Sequence, residues 1–199
     1  MTKPITSVAI MMLYERGKFL LDDAVERYMP EFSNMQVFSG QRDEQGNAVT
    51  RPAKSSITIR QLLSHSSGIG YSFSHPKLAG YYKGSNIRDW GYSDGTTIKD
   101  VVLRIAEQPL AFDTGTRRLY GLNTDVLGRL VEILSGRSFA DFLQAEVFEP
   151  LAMNNTTFYP DTQQAARLSR VYTPDVTTDR YDNISFWAAK QEFNIPEGA

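Results

Sequence analysis

A chain of 199 residues, 41% apolar and 22% charged, is long enough for a sizeable core and has the composition of an ordinary globular protein. Its formal net charge of −2, with no basic run, removes the electrostatic case for nucleic acid or an anionic membrane surface. Cysteine is absent and His65 and His75 are the two histidines, which excludes disulfides, thiol catalysis, zinc–thiolate sites and any multi-histidine metal centre.

Lys3 precedes an apolar run over residues 8–14, but Glu15 and Arg16 close it and no small-residue cleavage site follows. The run is too short to span a bilayer. It predicts a helix instead: Ile5, Val8, Ala9, Met12 and Leu13 keep one face, and Ile10 and Met11 fill the other, so cover on more than one side is expected. Gly17 stops it. Residues 20–23 open a turn-and-helix unit that ends near Pro30. A hairpin is predicted between residues 35–38 and 48–50, around the Gly46-Asn47 turn. Thr58 and Gln61 form a capping box for a short helix running to about Gly68. Residues 68–95, rich in Gly, Ser, Tyr and Asn, predict a long surface excursion.

Three stronger helices follow. Ile98, Val101, Val102, Ile105 and Ala106 make one apolar face, broken before Pro109. Val126, Leu127, Leu130, Val131 and Leu134 make a second, closed by Gly136. Ser138 with Asp141 caps a third, which carries Phe139, Phe142, Leu143 and Val147 before Pro150. Beyond Pro150 the pattern fades into short β-like pieces at 156–159 and 169–173. No internal repeat is visible, and residues 194–199 close no element, which predicts a cut rather than a finish.

Four local patterns stand in order along this frame. Thr2-Lys3-Pro4 opens the first helix, and Leu62-Leu63-Ser64-His65-Ser66-Ser67-Gly68 ends a short capped one. Gly115-Thr116-Arg117-Arg118-Leu119-Tyr120-Gly121-Leu122-Asn123 leads into the helix containing Leu127-Gly128-Arg129, and Val147-Phe148-Glu149-Pro150-Leu151-Ala152-Met153 comes later. Together they resemble the serine β-lactamase and penicillin-binding-protein superfamily, on the class C-like branch that includes the family VIII carboxylesterases. The resemblance implies the helical part of an α+β fold, mainly α with minor β in this chain, whose central sheet is largely outside it. One incomplete domain is expected. Residues 1–30 would be the active-site helix and its successor, 31–160 a helical subdomain, and 161–199 the start of a return toward the sheet.

In that superfamily the nucleophile and its lysine lie in S-x-x-K on a helix, where residues three apart face the same way. The resemblance makes Lys3 that lysine and puts the serine immediately before Met1, outside this sequence. Pro4 agrees, because proline is tolerated only in the first turn of a helix. Tyr120 resembles the tyrosine of Y-x-N or Y-S-x and would be general base and acid, sharing the proton with Lys3. The third position here is Leu122, and the asparagine comes one later at Asn123. That departs from the β-lactamase pattern and leans toward the esterases. Leu122 and Asn123 are the expected substrate-binding residues, with Tyr71, Phe73, Tyr81, Tyr82 and Trp90 available to shape an acyl pocket. His65 is expected to be structural, tying a turn through side-chain hydrogen bonds.

The implied parent reaction is acyl transfer from a small-molecule ester, amide or β-lactam through an acyl-serine, esterase-like, with no metal or cofactor. Nothing matches the late K-T-G or H-x-G strand that lines the pocket in the family. Two literal motifs compete. Gly91-Tyr92-Ser93-Asp94-Gly95 fits G-x-S-x-G but lacks the buried strand before it that a nucleophile elbow requires. Ser74-His75-Pro76-Lys77 fits S-x-x-K but lies in the polar excursion. The alternatives are an α/β-hydrolase using Ser93, and a non-catalytic helical interaction module. The apolar face of the helix over 2–14 is the expected surface for association.

Overall fold

The computed structural model describes residues 2–46, 48–89, 95–169, 172–175 and 180–183. Contacts divide the chain into two compact units, one reaching Leu143 and one beginning at Gln144. The sequence pattern placed no boundary there.

The first unit is built on helices. Helix α1 (Thr2–Glu15) buries Thr6, Ala9, Ile10 and Leu13, while Val8, Met11 and Tyr14 lie exposed. The main chain ends it with Gly17 in the left-handed region at φ 67°. Two 3-10 turns follow, Val25–Arg27 and Pro30–Phe32, where a longer helix was expected. Strands β1 (Gln36–Arg42) and β2 (Ala48–Pro52) pair antiparallel, with Val37 opposite Arg51 and an irregularity between Phe38 and Arg42. Asn47, in the predicted turn, lies outside the described residues.

Helix α2 (Ile59–Leu63) starts on the predicted capping box: the Thr58 side chain accepts the Gln61 N–H, and the Gln61 side chain accepts the Thr58 N–H. It ends four to five residues earlier than expected, because His65 turns left-handed at φ 56°. The excursion expected over 68–95 is also corrected. It contains helix α3 (Pro76–Gly84), and Ile69, Tyr71, Tyr82 and Ile87 are buried. Its Gly- and Ser-rich composition hid a helix opened by proline at its first position and anchored by aromatic burial.

Helix α4 (Ile98–Ala106) carries a Thr97–Asp100 capping box that the apolar pattern alone did not reveal. Helix α5 (Asn123–Ser135) is capped by Gly136 at φ 71° and buries Val126, Leu127, Leu130 and Val131. It touches α1, α2, α4 and α6 (Phe139–Leu143), so it is the central post of the unit. Gly128 lies close under a neighbour there: a Cβ would stand 2.7 Å from the Ile98 Cδ1, so that side chain would have to shift.

The second unit opens with a π-helical stretch, Gln144–Phe148, and includes α7 (Thr162–Ala166) and the antiparallel pair β3 (Tyr172–Asp175) and β4 (Arg180–Asn183). The β-like piece expected at 156–159 is not a strand. Thr157 Oγ1 accepts the Tyr159 N–H, a local turn that competes with any ladder.

Candidate active site

The site is assembled by two segments that zip together beside the start of α1. Residues 110–122 run along residues 65–70 through backbone bonds: Ala111 N–H to Gly68 O, Gly115 N–H to Ser66 O, Leu119 N–H to His65 O and Leu122 N–H to Gly70 O. The approach is so close that a Cβ on Gly121 would stand 2.4 Å from the Gly70 carbonyl carbon and the Ile69 oxygen. On Gly68, at φ 92°, it would meet the Phe112 oxygen at 2.7 Å. Glycine at both positions lets backbone lie on backbone. At the far end of the segment the Arg51 guanidinium grips Asp113 with two bonds of 2.9 and 2.7 Å, and the Lys54 N–H adds a third. Those bonds hold the Asp113 carboxyl down at about 2.

Tyr120, 46% exposed, is presented by this zipper to Lys3. The Lys3 Nζ stands 4.7 Å from the Tyr120 ring centroid and donates to the Tyr71 hydroxyl at 2.8 Å. Burial pulls the Lys3 ammonium down, but hydrogen bonds to the Tyr71 and Tyr120 hydroxyls outweigh it, so its pKa lies above the ordinary value and the cation is retained at neutral pH. Tyr71 stacks on Phe73 with ring centroids 5.0 Å apart and tilts against Tyr120 at 5.5 Å. Burial pushes the Tyr71 phenol up despite the lysine beside it. The result is one ammonium between two tyrosines of different exposure.

Tyr71 was grouped at the sequence level with general pocket aromatics. Its place as the direct partner of Lys3 depends on a contact across 68 residues, which no local spacing encodes. Leu122 and Asn123, the expected substrate-binding pair, are 2% and 0% exposed. The Asn123 amide is fully engaged within the protein. Its Oδ1 accepts the Ser67 hydroxyl, and its Nδ2 reaches Ile69 O at 3.1 Å and His65 Nδ1 at 3.0 Å. Asn123 therefore holds the zipper together rather than facing an open pocket.

His65 sits beneath Tyr120, ring centroids 5.0 Å apart. Burial first, and then the charges of Lys3 and Arg118, push its imidazole down to about 4. The sign of the resulting acid sensitivity follows. The folded pKa lies below the unfolded value of about 6.5, so the stabilisation is complete above that pH and is lost as pH falls toward 4. The loss is progressive across that window. Urea denaturation at pH 7 and pH 4.5, on this chain and on His65→Asn, checks it: the extra acid destabilisation should be smaller in the variant. An equal slope in both would remove His65 as its source.

Ser74, the serine of the discounted S-x-x-K, is occupied. Its Oγ accepts the Tyr71 N–H at 2.7 Å and donates to the Tyr71 carbonyl at 3.1 Å. Residues 90–94, which include Ser93 and Trp90, lie outside the described residues. No group of acidic residues and histidines suited to a metal occurs among the described residues. No described helix is long and apolar enough to cross a membrane.

Comparisons with known proteins show which superfamily the chain belongs to, that of the serine β-lactamases and penicillin-binding-protein-like enzymes. The family model described as Beta-lactamase matches residues 1–192, and the chain belongs to that family. The chain is similar to ML-236A carboxylate methylbutanoyltransferase mlcH of Penicillium citrinum, 35% identical over 157 residues, covering 79% of this chain and 36% of that protein. It is similar also to the lovastatin esterase of Penicillium rubens, 32% identical, covering 83% of this chain and 40% of the esterase. Among solved structures, the simvastatin synthase LovD of Aspergillus terreus superposes with a TM-score of 0.77 at 31% identity, over 94% of this chain and 46% of that one. The chain thus spans less than half the length of these relatives.

Proposed function

We propose that this chain supplies the lysine–tyrosine machinery and the helical platform of a serine acyl-transfer enzyme, an esterase or acyltransferase acting on small-molecule esters. The observation that carries the reading is the Lys3 ammonium held between Tyr71 and Tyr120 in the first turn of α1. In this reading the nucleophile is the serine at the position immediately before Met1, which this sequence does not include. A residue there lies three before Lys3, on the same face of the helix.

The proton chemistry follows from the charge state of Lys3. A retained ammonium does not take a proton; it lowers the energy of negative charge on its neighbours. Tyr120, the more exposed tyrosine, is the group that, as its phenolate charge-paired with the Lys3 ammonium, would accept the serine proton during attack and return it to the leaving alkoxide. Tyr71, buried and hydrogen-bonded to Nζ, would aim the lysine. The acyl-serine formed by attack is then released to water or to an acceptor alcohol. The similarity to a methylbutanoyltransferase and to a lovastatin esterase supports this substrate class.

The test is Tyr120→Phe beside Ser93→Ala, in the protein bearing the serine before Met1, read by p-nitrophenyl butyrate turnover. Tyr120→Phe should lower kcat by about 10²–10⁴-fold, and Ser93→Ala should leave it within about twofold. The reverse pattern would transfer the chemistry to the nucleophile-elbow alternative.

A further inference from the structure

His65, Ser67 and Asn123 form a buried polar cluster under Tyr120 that has no part in the proton chemistry above. Its donors and acceptors close on one another. The Ser67 hydroxyl donates to Asn123 Oδ1 and accepts the Ile69 N–H at 3.1 Å. The Ile69 carbonyl can only accept, so the Asn123 atom facing it is Nδ2, which is also the donor to His65 Nδ1. The Gly121 N–H also points at His65 Nδ1, at 3.4 Å. A ring nitrogen that faces two N–H donors must present its lone pair, which places the imidazole proton on Nε2.

The same residue grips the chain on both sides of Tyr120. The His65 carbonyl accepts the Leu119 N–H at 2.8 Å, and its ring accepts the Gly121 N–H. Its backbone holds φ 56°, a region that a non-glycine residue occupies only at a cost. The left-handed turn is what lets one residue offer carbonyl and ring to consecutive parts of the same loop.

We infer that His65 is a positioning residue for Tyr120: its neutral Nε2–H imidazole is the acceptor on which the turn carrying the tyrosine is fixed beside Lys3. The inference rests on the reading of Tyr120 as the proton-handling group. Its test uses no turnover, so a failure of the acyl-transfer reading would leave these outcomes unchanged.

The chain itself is the sample. Nitrogen-15 NMR of the imidazoles reads the tautomer, and aromatic cross-relaxation reads the Tyr120–Lys3 contact. The structure predicts an unprotonated Nδ1 and protonated Nε2 at pH 7, with cross-peaks between the Tyr120 ring and the Lys3 side chain. His65→Gly keeps the left-handed backbone and removes the acceptor. It should lose the Tyr120–Lys3 cross-peaks while the Tyr71–Phe73 pair is kept. His65→Asn tolerates the same backbone and can place Oδ1 near the Nδ1 position, so it should restore them. A proton on Nδ1 in the unsubstituted chain would overturn the inference, whether or not the variants fold. So would unchanged Tyr120–Lys3 cross-peaks in His65→Gly, or their equal loss in His65→Asn.

Discussion

Replacing Lys3 with methionine is expected to lower acyl-serine formation by about a thousandfold, in the protein bearing the serine before Met1. Methionine keeps much of the apolar stem, so the half-buried packing at the start of α1 is largely preserved while the ammonium is removed. Two consequences follow from the geometry. Tyr71 loses the donor 2.8 Å from its hydroxyl, and Tyr120 loses the cation 4.7 Å from its ring. Neither loss unfolds the protein, because the buried side chains of α1 are Thr6, Ala9, Ile10 and Leu13. The effect should therefore fall on the acylation rate with little change in Tm. Pre-steady-state release of p-nitrophenol measures it directly. A variant with near-normal acylation would deny Lys3 its role, and one that simply melts would mark it as structural.

Gly121→Ala should be the most damaging single methyl group in the first unit. The new Cβ would lie 2.4 Å from two backbone atoms of residues 69 and 70, and backbone cannot rotate away as a side-chain tip can. The zipper must open by an ångström or so, and it carries Tyr120 on the adjacent residue. Overpacking of this kind costs about 2–3 kcal/mol, which for a chain of this size lowers Tm by roughly 5–10 °C. Gly80→Ala in α3 is the control. Nothing lies within 4 Å of its Cβ position, so the better helix propensity of alanine should leave stability equal or slightly higher. Thermal melts followed by circular dichroism distinguish the two. Equal melting temperatures would mean that the close backbone approach does not constrain the loop.

The parts legible in the sequence share a physical character. Helices α1, α4 and α5 announce themselves because an apolar stripe and a stop are both local. Gly136 closes α5 where the pattern ends, and Thr58 with Gln61 opens α2 within a single turn. The hairpin is local for the same reason. Pairing Lys3 with Tyr120 required something else, the order of four weak motifs along the whole chain, since the two residues are far apart in sequence and neither spacing nor periodicity joins them.

What was missed is nonlocal or compositionally disguised. Tyr71 meets Lys3 from within a segment whose glycines and serines suggested a surface loop. Those serines are instead internal fasteners: Ser72 bonds Asp89 through both its N–H and its hydroxyl, and Ser74 bonds Tyr71. The early end of α2 turns on the unusual backbone of His65, which a histidine does not advertise. Asn123 was expected, with Leu122, to help shape the acyl pocket, and its place in the fold is not one that local spacing encodes. At the start of α5, its amide points into the protein and closes a network with Ser67 and His65.

The central claim is that Lys3 and its tyrosines serve a serine directly before Met1. Fluorophosphonate labelling, with the adduct located by mass spectrometry, tests it most directly, on the chain with that serine placed before Met1 and on the same chain carrying Lys3→Met. The account predicts an adduct on the added serine that is strongly reduced by Lys3→Met. An adduct on Ser93 or Ser74, or labelling of the added serine that ignores the loss of Lys3, would contradict it.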